Sequence, residues 1–298
     1  FKFWIGDTGP TGPLYTGPKQ DVFICTGFKF NLGQPIIDNY DGIGSAVFPE
    51  LNDFPLYLLP PIGYSRDCSM YTKVKYFYYS KLKKEFLPLK SQRDRPNDIA
   101  YIDNQKGNIP FVVRVEIGTL NRFFYSVAML APFLETLDSP KSLNNSAWNG
   151  KLLYKFQGGI GIGHNQGGFS LNKKHALFLA ALERGYAVAY STGNRTTTHY
   201  NLTLAEETAV MVKKHFEVTY GKPRYTVGVG ASGGGVQQYV IAQNTNAVID
   251  AAIPQASFPD MITQTIASVD CELLERYFDQ EYVTNNDSEW SNWKHRQA

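Results

Sequence analysis

Hydrophobic and polar positions alternate over short stretches in the first part of the chain, which is the pattern of β-strands. Three segments are rich in Val, Ile, Phe and Tyr with partial alternation: residues 22–28, 72–80 and 110–130. Such side chains at a period of two are typical of strands. Pro-rich connectors separate these segments, and residues 8–20 carry Gly and Pro at turn spacing without the triplet period of collagen. We therefore predict a β-rich N-terminal region over residues 1–140.

The pattern changes over residues 141–298 to alternating strands and helices. Short apolar runs predict buried strands at residues 151–156, 186–191, 225–230 and 248–254. Apolar positions at helical spacing predict helices at residues 172–185, 204–221, 234–244 and 270–282. Thr203 and Glu206 form a capping box for the second helix. This order implies an α/β fold with a mostly parallel sheet and helices on both faces.

Composition and charge narrow the functional classes. The chain has 298 residues, 43% hydrophobic and 19% charged, with a formal charge of +2. The near-neutral balance gives no reason to expect nucleic acid as a partner, and no apolar run of about 18 residues predicts a membrane span. No Cys/His spacing predicts zinc, and residues 38–42 are a turn rather than a calcium loop because the terminal Glu is missing. We expect no cofactor and no metal.

Cysteines and glycosylation sequons favour an extracellular protein. Cys25 and Cys68 lie beside strand-like runs and could form a bridge, which would leave Cys271 without a mate in the chain; three buried thiols are the alternative. The N-x-[ST] sequon occurs mildly more often than chance predicts, at Asn144, Asn194, Asn201 and Asn286. Together these features predict a secreted or surface glycoprotein.

The segment Gly230-Ala231-Ser232-Gly233-Gly234 follows an apolar strand and precedes a helix. A G-x-S-x-G motif in that place is typical of the nucleophile elbow of α/β-hydrolases. The glycines two residues either side of the serine leave room for a strand and a helix to approach each other. We predict Ser232 as a nucleophile and the Gly233 N–H as one oxyanion donor, with a plain glycine-rich bend as the alternative.

A second glycine-rich turn, with Gly158 and Gly159, follows the strand at residues 151–156. Hydrolases take their second oxyanion donor from such a loop, so we predict the Gly159 N–H in that role. A phosphate or dinucleotide loop is the alternative. It is disfavoured because no helix follows immediately, the Walker lysine is missing, and Glu183 is the only acidic residue near the expected spacing.

A catalytic acid and base are harder to find in this sequence. The expected order is serine, then acid, then histidine, and His295 is the sole histidine after Ser232. Asp260 follows a strand and is a candidate acid, with helix capping as the alternative. His164 could contact substrate beside the glycine-rich turn. We predict structural roles for His175, His199 and His215. We expect acid and base on a downstream C-terminal segment of the same precursor, cleaved but associated.

Several segments together resemble a family of secreted proteins that carry a domain of unknown function with an α/β-hydrolase core. They include WNGKLLYKFQGG, GASGGGVQQYVIAQN and, most specifically, IPQASFPDMITQTIASVDCELLERYF. That family is distantly similar to tannases, feruloyl esterases and extracellular polyester depolymerases. The resemblance implies Ser232 in the elbow, Cys25 and Cys68 at matching places, and members longer than this chain. No cysteine stands beside Ser232, so the disulfide-braced triad of tannases is not expected.

Two functions follow from this pattern. One is a secreted serine hydrolase that cleaves an ester in a polymer or an aromatic conjugate. The other is an extracellular structural or binding protein that keeps the fold without catalysis, because fold alone does not guarantee activity. An acid followed by a histidine at strand ends beyond Ala298 would favour the enzyme.

Overall fold

The computed structural model describes residues 23–51, 54–90, 94, 96–104, 107–132, 145–161, 163–171, 175–245, 247–260, 266 and 270–280. The chain divides into two compact units, Phe1–Ser257 and Phe258–Ala298. In the second unit, residues 270–280 are helical, as the sequence predicts.

The first unit contains fourteen described strands and three α-helices. The strands are β1 (Ser45–Val47), β2 (Glu50–Leu51), β3 (Phe54–Pro55), β4 (Gly63–Ser65), β5 (Lys73–Ser80), β6 (Glu85–Pro88), β7 (Tyr101–Asn104), β8 (Gly107–Pro110), β9 (Val112–Leu120), β10 (Phe123–Leu130), β11 (Lys151–Gln157), β12 (Ala187–Arg195), β13 (Tyr225–Ala231) and β14 (Ala251–Gln255). The helices are α1 (Leu179–Leu182), α2 (Leu202–Tyr220) and α3 (Gly233–Asn244).

Eight strands form one mixed sheet in the order β14-β13-β11-β12-β10-β9-β5-β6. β12, β11, β13 and β14 run parallel to one another, whereas the pairings from β12 through β10, β9 and β5 to β6 are antiparallel. The prediction of a mostly parallel sheet therefore holds for the C-terminal half alone. Strands from both sides of residue 140 pair within this one sheet, and the boundary predicted there stays a prediction.

The order of the parallel strands determines where a ligand site can form. In the sheet, β12 lies on one side of β11 and β13 lies on the other. The chain therefore passes from β11 to β12 and then crosses over to β13. In α/β sheets, binding sites form at the carboxyl ends of strands where the connections diverge in this way. The loops after β11, β12 and β13 all lie at that edge, since these strands are parallel.

Apolar side chains cover both faces of the sheet. One face packs against α1 through residues that include Val188, Tyr190 and Leu182, all fully buried. The opposite face packs against α2 through residues that include Tyr154 and Phe216. Alternation along β11 and β12 sends successive side chains to opposite faces, which is why both strands have an apolar core on each side.

Three local predictions are wrong. Residues 22–28 form no strand in their described part: Ile24 makes an isolated bridge to Asn165 and a 3-10 turn follows at Phe28–Phe30. The helix predicted over residues 172–185 is described as helical only at α1, which ends at Leu182, three residues before Gly185 with its positive φ of 78°. Thr203 and Glu206 do not cap α2, since the Asn201 side chain accepts a hydrogen bond from the Leu204 N–H.

A disulfide joins Cys25 and Cys68, with 5.2 Å between their Cα atoms, which confirms the predicted pair. Cys271 is a free, exposed thiol. Gln166 lies between the two halves of the bridge: its side chain accepts from the Thr26 N–H at 3.0 Å and donates to the Cys68 carbonyl at 2.8 Å. The bridge therefore anchors the chain that follows the glycine-rich turn. No helix in the described ranges is long and apolar enough to span a bilayer.

Replacing both bridge cysteines in C25S/C68S should destabilise the protein, because the bridge closes a 43-residue separation in the unfolded chain. We expect the free energy of unfolding to fall by about 2–4 kcal/mol. Denaturant titration measures the change, with C271S as the control expected to match the wild type. Equal midpoints for C25S/C68S and C271S would contradict a stabilising role for the bridge.

Candidate active site

Ser232 lies at the junction of β13 and α3, with φ 57° and ψ −128°. A positive φ is uncommon for a residue with a side chain, and such a conformation costs about 1–3 kcal/mol. The Ser232 N–H donates to the Gln255 carbonyl of β14 at 3.0 Å, and its own carbonyl accepts from Gly235 and Val236 in the first turn of α3. The hydroxyl makes no capping bond to the helix, and the residue is half-buried.

The glycines around Ser232 are required by close backbone contacts. A Cβ added at Gly230 would lie 2.5 Å from the Phe156 carbonyl oxygen, and one at Gly234 would lie 2.9 Å from the same atom. Both contacts are shorter than real Cβ atoms make. Strand β11 has an irregular register with β12 at this point, between Lys155 and Gln157. The end of β11 therefore packs directly against the serine turn, as the motif predicts.

The structure brings the two glycine-rich turns together. A Cβ added at Gly158 would lie 2.7 Å from the Ser232 Cβ and 3.0 Å from the Gly233 nitrogen. Gly159 follows with a φ of 108°, a conformation that favours glycine. Amide hydrogens at the start of α3 and in the turn after β11 are thus within one small region around the serine, where negative charge would be stabilised.

A loop that sequence reasoning missed packs against the second glycine-rich turn. Residues 196–198, which we call the threonine loop, directly follow β12. The hydroxyls of Thr196 and Thr197 and the backbone N–H of Thr196 donate hydrogen bonds to that turn. A Cβ added at Gly233 would overlap the Thr196 hydroxyl. In the sequence this loop is visible as three consecutive threonines after a predicted strand. Its contact with the glycine-rich turn depends on the pairing of β12 with β11, which the sequence pattern does not give.

Three histidines pack against or hydrogen-bond residues that do not belong to the serine turn. His175 stacks on Tyr190 with 4.7 Å between ring centroids, and His199 packs against Phe123 at 4.9 Å. Burial lowers the pKa of His199 to about 4, although the nearby backbone of Gly193 and Asn201 acts in the opposite direction. His215 binds the carboxylate of Glu116 at 2.6 Å. Each contact matches the structural role predicted for these residues.

Glu116 is a buried carboxylate at the centre of a polar cluster between β9, β10 and α2. Burial raises its pKa, but hydrogen bonds from His215, Tyr220 and Tyr125 outweigh burial and lower the pKa to about 2. The Tyr125 hydroxyl donates to it at 2.8 Å, and the Arg114 guanidinium lies 3.5 Å away. The cluster holds α2 against the sheet and keeps the carboxylate ionised at neutral pH.

A family model described as a tannase-like family of unknown function, DUF6351, matches residues 5–298. The chain belongs to this tannase-like family. No curated protein matches the sequence. The family resemblance seen in the sequence is thereby confirmed over almost the whole chain.

Asp260, His164 and His295 are the remaining predicted site residues of this tannase-like chain. Asp260 belongs to the second unit and Ser232 to the first, so its role as the acid stays a prediction. His164 accepts from the Ile24 N–H through its carbonyl at 2.7 Å, and a substrate contact likewise stays a prediction. His295 lies outside the described residues.

Of the four sequons, Asn194 does not fit a glycan in this tannase-like fold. Its side chain is fully buried, accepts from the Tyr154 hydroxyl at 2.7 Å and donates to the Ala205 carbonyl at 2.7 Å. A glycosylated amide would break this network, so the prediction at Asn194 is wrong. Asn201 is exposed and stays a prediction. Asn144 and Asn286 lie outside the described residues.

Acid should destabilise this protein partly through Glu116. Its pKa is lower in the folded state than its ordinary value of 4.5, so its stabilising effect is complete above pH 4.5 and is lost as the pH falls toward 2. We expect about 3 kcal/mol of stability to depend on this group. Denaturant titration at pH 6 and pH 3 should show a smaller pH dependence for E116Q than for the wild type.

The exposed Glu85 of β6 provides the control for that titration. E85Q should keep the wild-type difference between the two pH values. An E116Q variant with the same pH dependence as the wild type would contradict an ionised, hydrogen-bonded Glu116.

Proposed function

We propose that this protein is a secreted serine hydrolase that cleaves esters through an acyl-enzyme. The observation that carries the proposal is the conformation of Ser232 at the start of α3, with the Gly158–Gly159 turn packed against it. Membership of a tannase-like family supports ester chemistry and an α/β-hydrolase type of fold. The parallel half of the sheet, with the serine turn at its carboxyl edge, is consistent with that fold.

The proposed reaction follows from the groups around the serine. Ser232 Oγ attacks the ester carbonyl carbon and gives its proton to a base, and the N–H groups of Gly233 and Gly159 bind the resulting oxyanion. The carbon–oxygen bond to the alcohol then breaks, and the alcohol leaves with that proton. Water adds to the acyl-enzyme and releases the acid, which regenerates the serine.

The base, and an acid to orient it, are proposed to come from a C-terminal segment of the same precursor. The contacts of His175 with Tyr190, of His199 with Phe123 and of His215 with Glu116 support this, because each ring is packed or hydrogen-bonded against another residue. Asp260 is kept as the candidate acid within this chain. These partners are needed because a serine hydroxyl is a weak nucleophile unless a base accepts its proton.

Secretion is proposed from the disulfide and the remaining sequons. The Cys25–Cys68 bridge fits an oxidising compartment, because cytosolic thiols are normally kept reduced. Asn144, Asn201 and Asn286 are the candidate glycan sites. No nucleic-acid or membrane partner is proposed.

The proposed substrate is an ester with an apolar or aromatic acyl group, free or within a polymer. Ile160, next to the proposed donor Gly159, exposes 88% of its surface and offers apolar contact beside the oxyanion site. An exposed apolar side chain at a reacting centre favours an apolar substrate group over a charged one.

A fluorophosphonate probe should label the full-length protein at Ser232. The serine oxygen bonds to phosphorus, fluoride leaves, and the serine proton passes to the base. We expect S232A to lose labelling completely and S257A to keep it, because Ser257 is a half-buried serine whose hydroxyl is bound by Tyr239. Gel fluorescence measures the result. Equal labelling of S232A and wild type would contradict the proposal, and no labelling of either would favour a structural or binding protein.

Adding a methyl group at Gly158 should slow the same labelling reaction. The new Cβ would press on Ser232 Cβ and the Gly233 nitrogen, and small displacements of reacting groups cost about 100-fold in rate. We expect G158A to label about 10- to 100-fold more slowly than wild type. The control is G168A, whose added Cβ would lie 3.3 Å from the ring of Phe30 and 3.7 Å from Arg195 Nη1, with no contact to the serine turn among its nearest neighbours. Equal rates for both variants would contradict the packing of this turn against the serine.

A further inference from the structure

The threonine loop binds three consecutive carbonyl groups of the turn after β11. The Thr196 N–H donates to the Gln157 carbonyl at 3.0 Å. The Thr197 hydroxyl donates to the Gly158 carbonyl at 2.7 Å, and the Thr196 hydroxyl donates to the Gly159 carbonyl. Every peptide unit from residue 157 to residue 160 is therefore held by one donor from this loop.

These three bonds fix the direction of the amide hydrogens in the same peptide units. A planar trans peptide points its N–H opposite to its C=O, and no described peptide bond is cis. The carbonyls of Gly158 and Gly159 face the threonine loop, so the N–H groups of Gly159 and Ile160 face away from it. Without the hydroxyls, each peptide plane could rotate, because the glycines restrict φ and ψ very little.

The same loop also contacts the serine turn. A Cβ added at Gly233 would overlap the Thr196 hydroxyl, so this hydroxyl lies between the two glycine-rich turns. Gln237 of α3 connects them a second time, since its side-chain N–H donates to the Gln157 and Gly233 carbonyls at 3.2 Å each. The spacing of the two proposed oxyanion donors thus depends on groups that need not touch the substrate.

We propose that Thr196 and Thr197 are positioning residues that orient the amide hydrogens of the turn after β11 toward the oxyanion. The proposal rests on the proposed serine hydrolase function. Thr196 is 1% exposed and connects the two turns, whereas Thr197 is exposed and binds the Gly158 carbonyl through its hydroxyl. The two residues therefore allow the same role to be tested in a buried and in an exposed position.

The test uses the full-length protein with 4-nitrophenyl acetate and with a fluorophosphonate probe. We expect T197V and T196V each to lower kcat and the labelling rate by about 10- to 100-fold, with KM within about twofold of wild type. T197S and T196S keep the hydroxyl and should stay within about threefold of wild type. A fall in kcat that serine rescues is the signature of orientation rather than of lost packing.

Thr208 provides the matched control for the buried position. It is fully buried, and its hydroxyl also donates to a backbone carbonyl, that of Leu204 at 2.7 Å. T208V should lower the denaturation midpoint about as much as T196V while leaving kcat unchanged. Because Thr197 is exposed, kcat and the labelling rate can be measured for T197V even if T196V fails to fold.

Several results would overturn the proposal, and they can be distinguished. Hydrolysis that S232A abolishes but that T196V and T197V leave unchanged would remove the positioning role and keep the proposed function. Hydrolysis that persists in S232A, or its absence from the wild type, would remove both. A Val variant that raises KM alone would also contradict orientation of the oxyanion donors.

Discussion

The backbone conformation of Ser232 is the constraint on which the rest of the site depends. A residue with φ 57° and ψ −128° is stable only when its surroundings hold it there. The hydrogen bond from its N–H to Gln255 holds it on one side, and the first turn of α3 holds it on the other. The Ser232 side chain is half-buried at the N-terminus of α3, where the N–H groups of the first turn stabilise negative charge.

The strand order explains why the other parts of the site gather around that serine. β11 lies between β12 and β13, so the loops after these three strands meet at one edge of the sheet. Each loop approaches its neighbour so closely that glycine is needed at the contact, as at Gly158 and Gly233. The disulfide and Gln166 anchor the far end of the turn after β11 to the N-terminal region. Distant parts of the sequence thus stabilise one small arrangement of amide groups.

The sequence could predict the elements whose signals are local. The strand, turn and helix around Ser232 follow from apolar periodicity and glycine spacing, and the structure has them as β13, the turn and α3. The role of the threonine loop could not be predicted, because it depends on β12 pairing with β11. The burial of Asn194 depends likewise on contacts with Tyr154, 40 residues earlier, and Ala205, 11 residues later. A sequon pattern contains no information on such packing.

A crystal structure of the full-length protein with a phosphonate bound to Ser232 would test the central claim most directly. The measured quantity is the distance from the phosphonyl oxygen to the nitrogens of Gly233 and Gly159. We predict about 2.7–3.1 Å for both, as expected for oxyanion donors. An oxygen that points to solvent, with neither nitrogen within hydrogen-bond distance, would contradict the assignment of this serine turn as an active site.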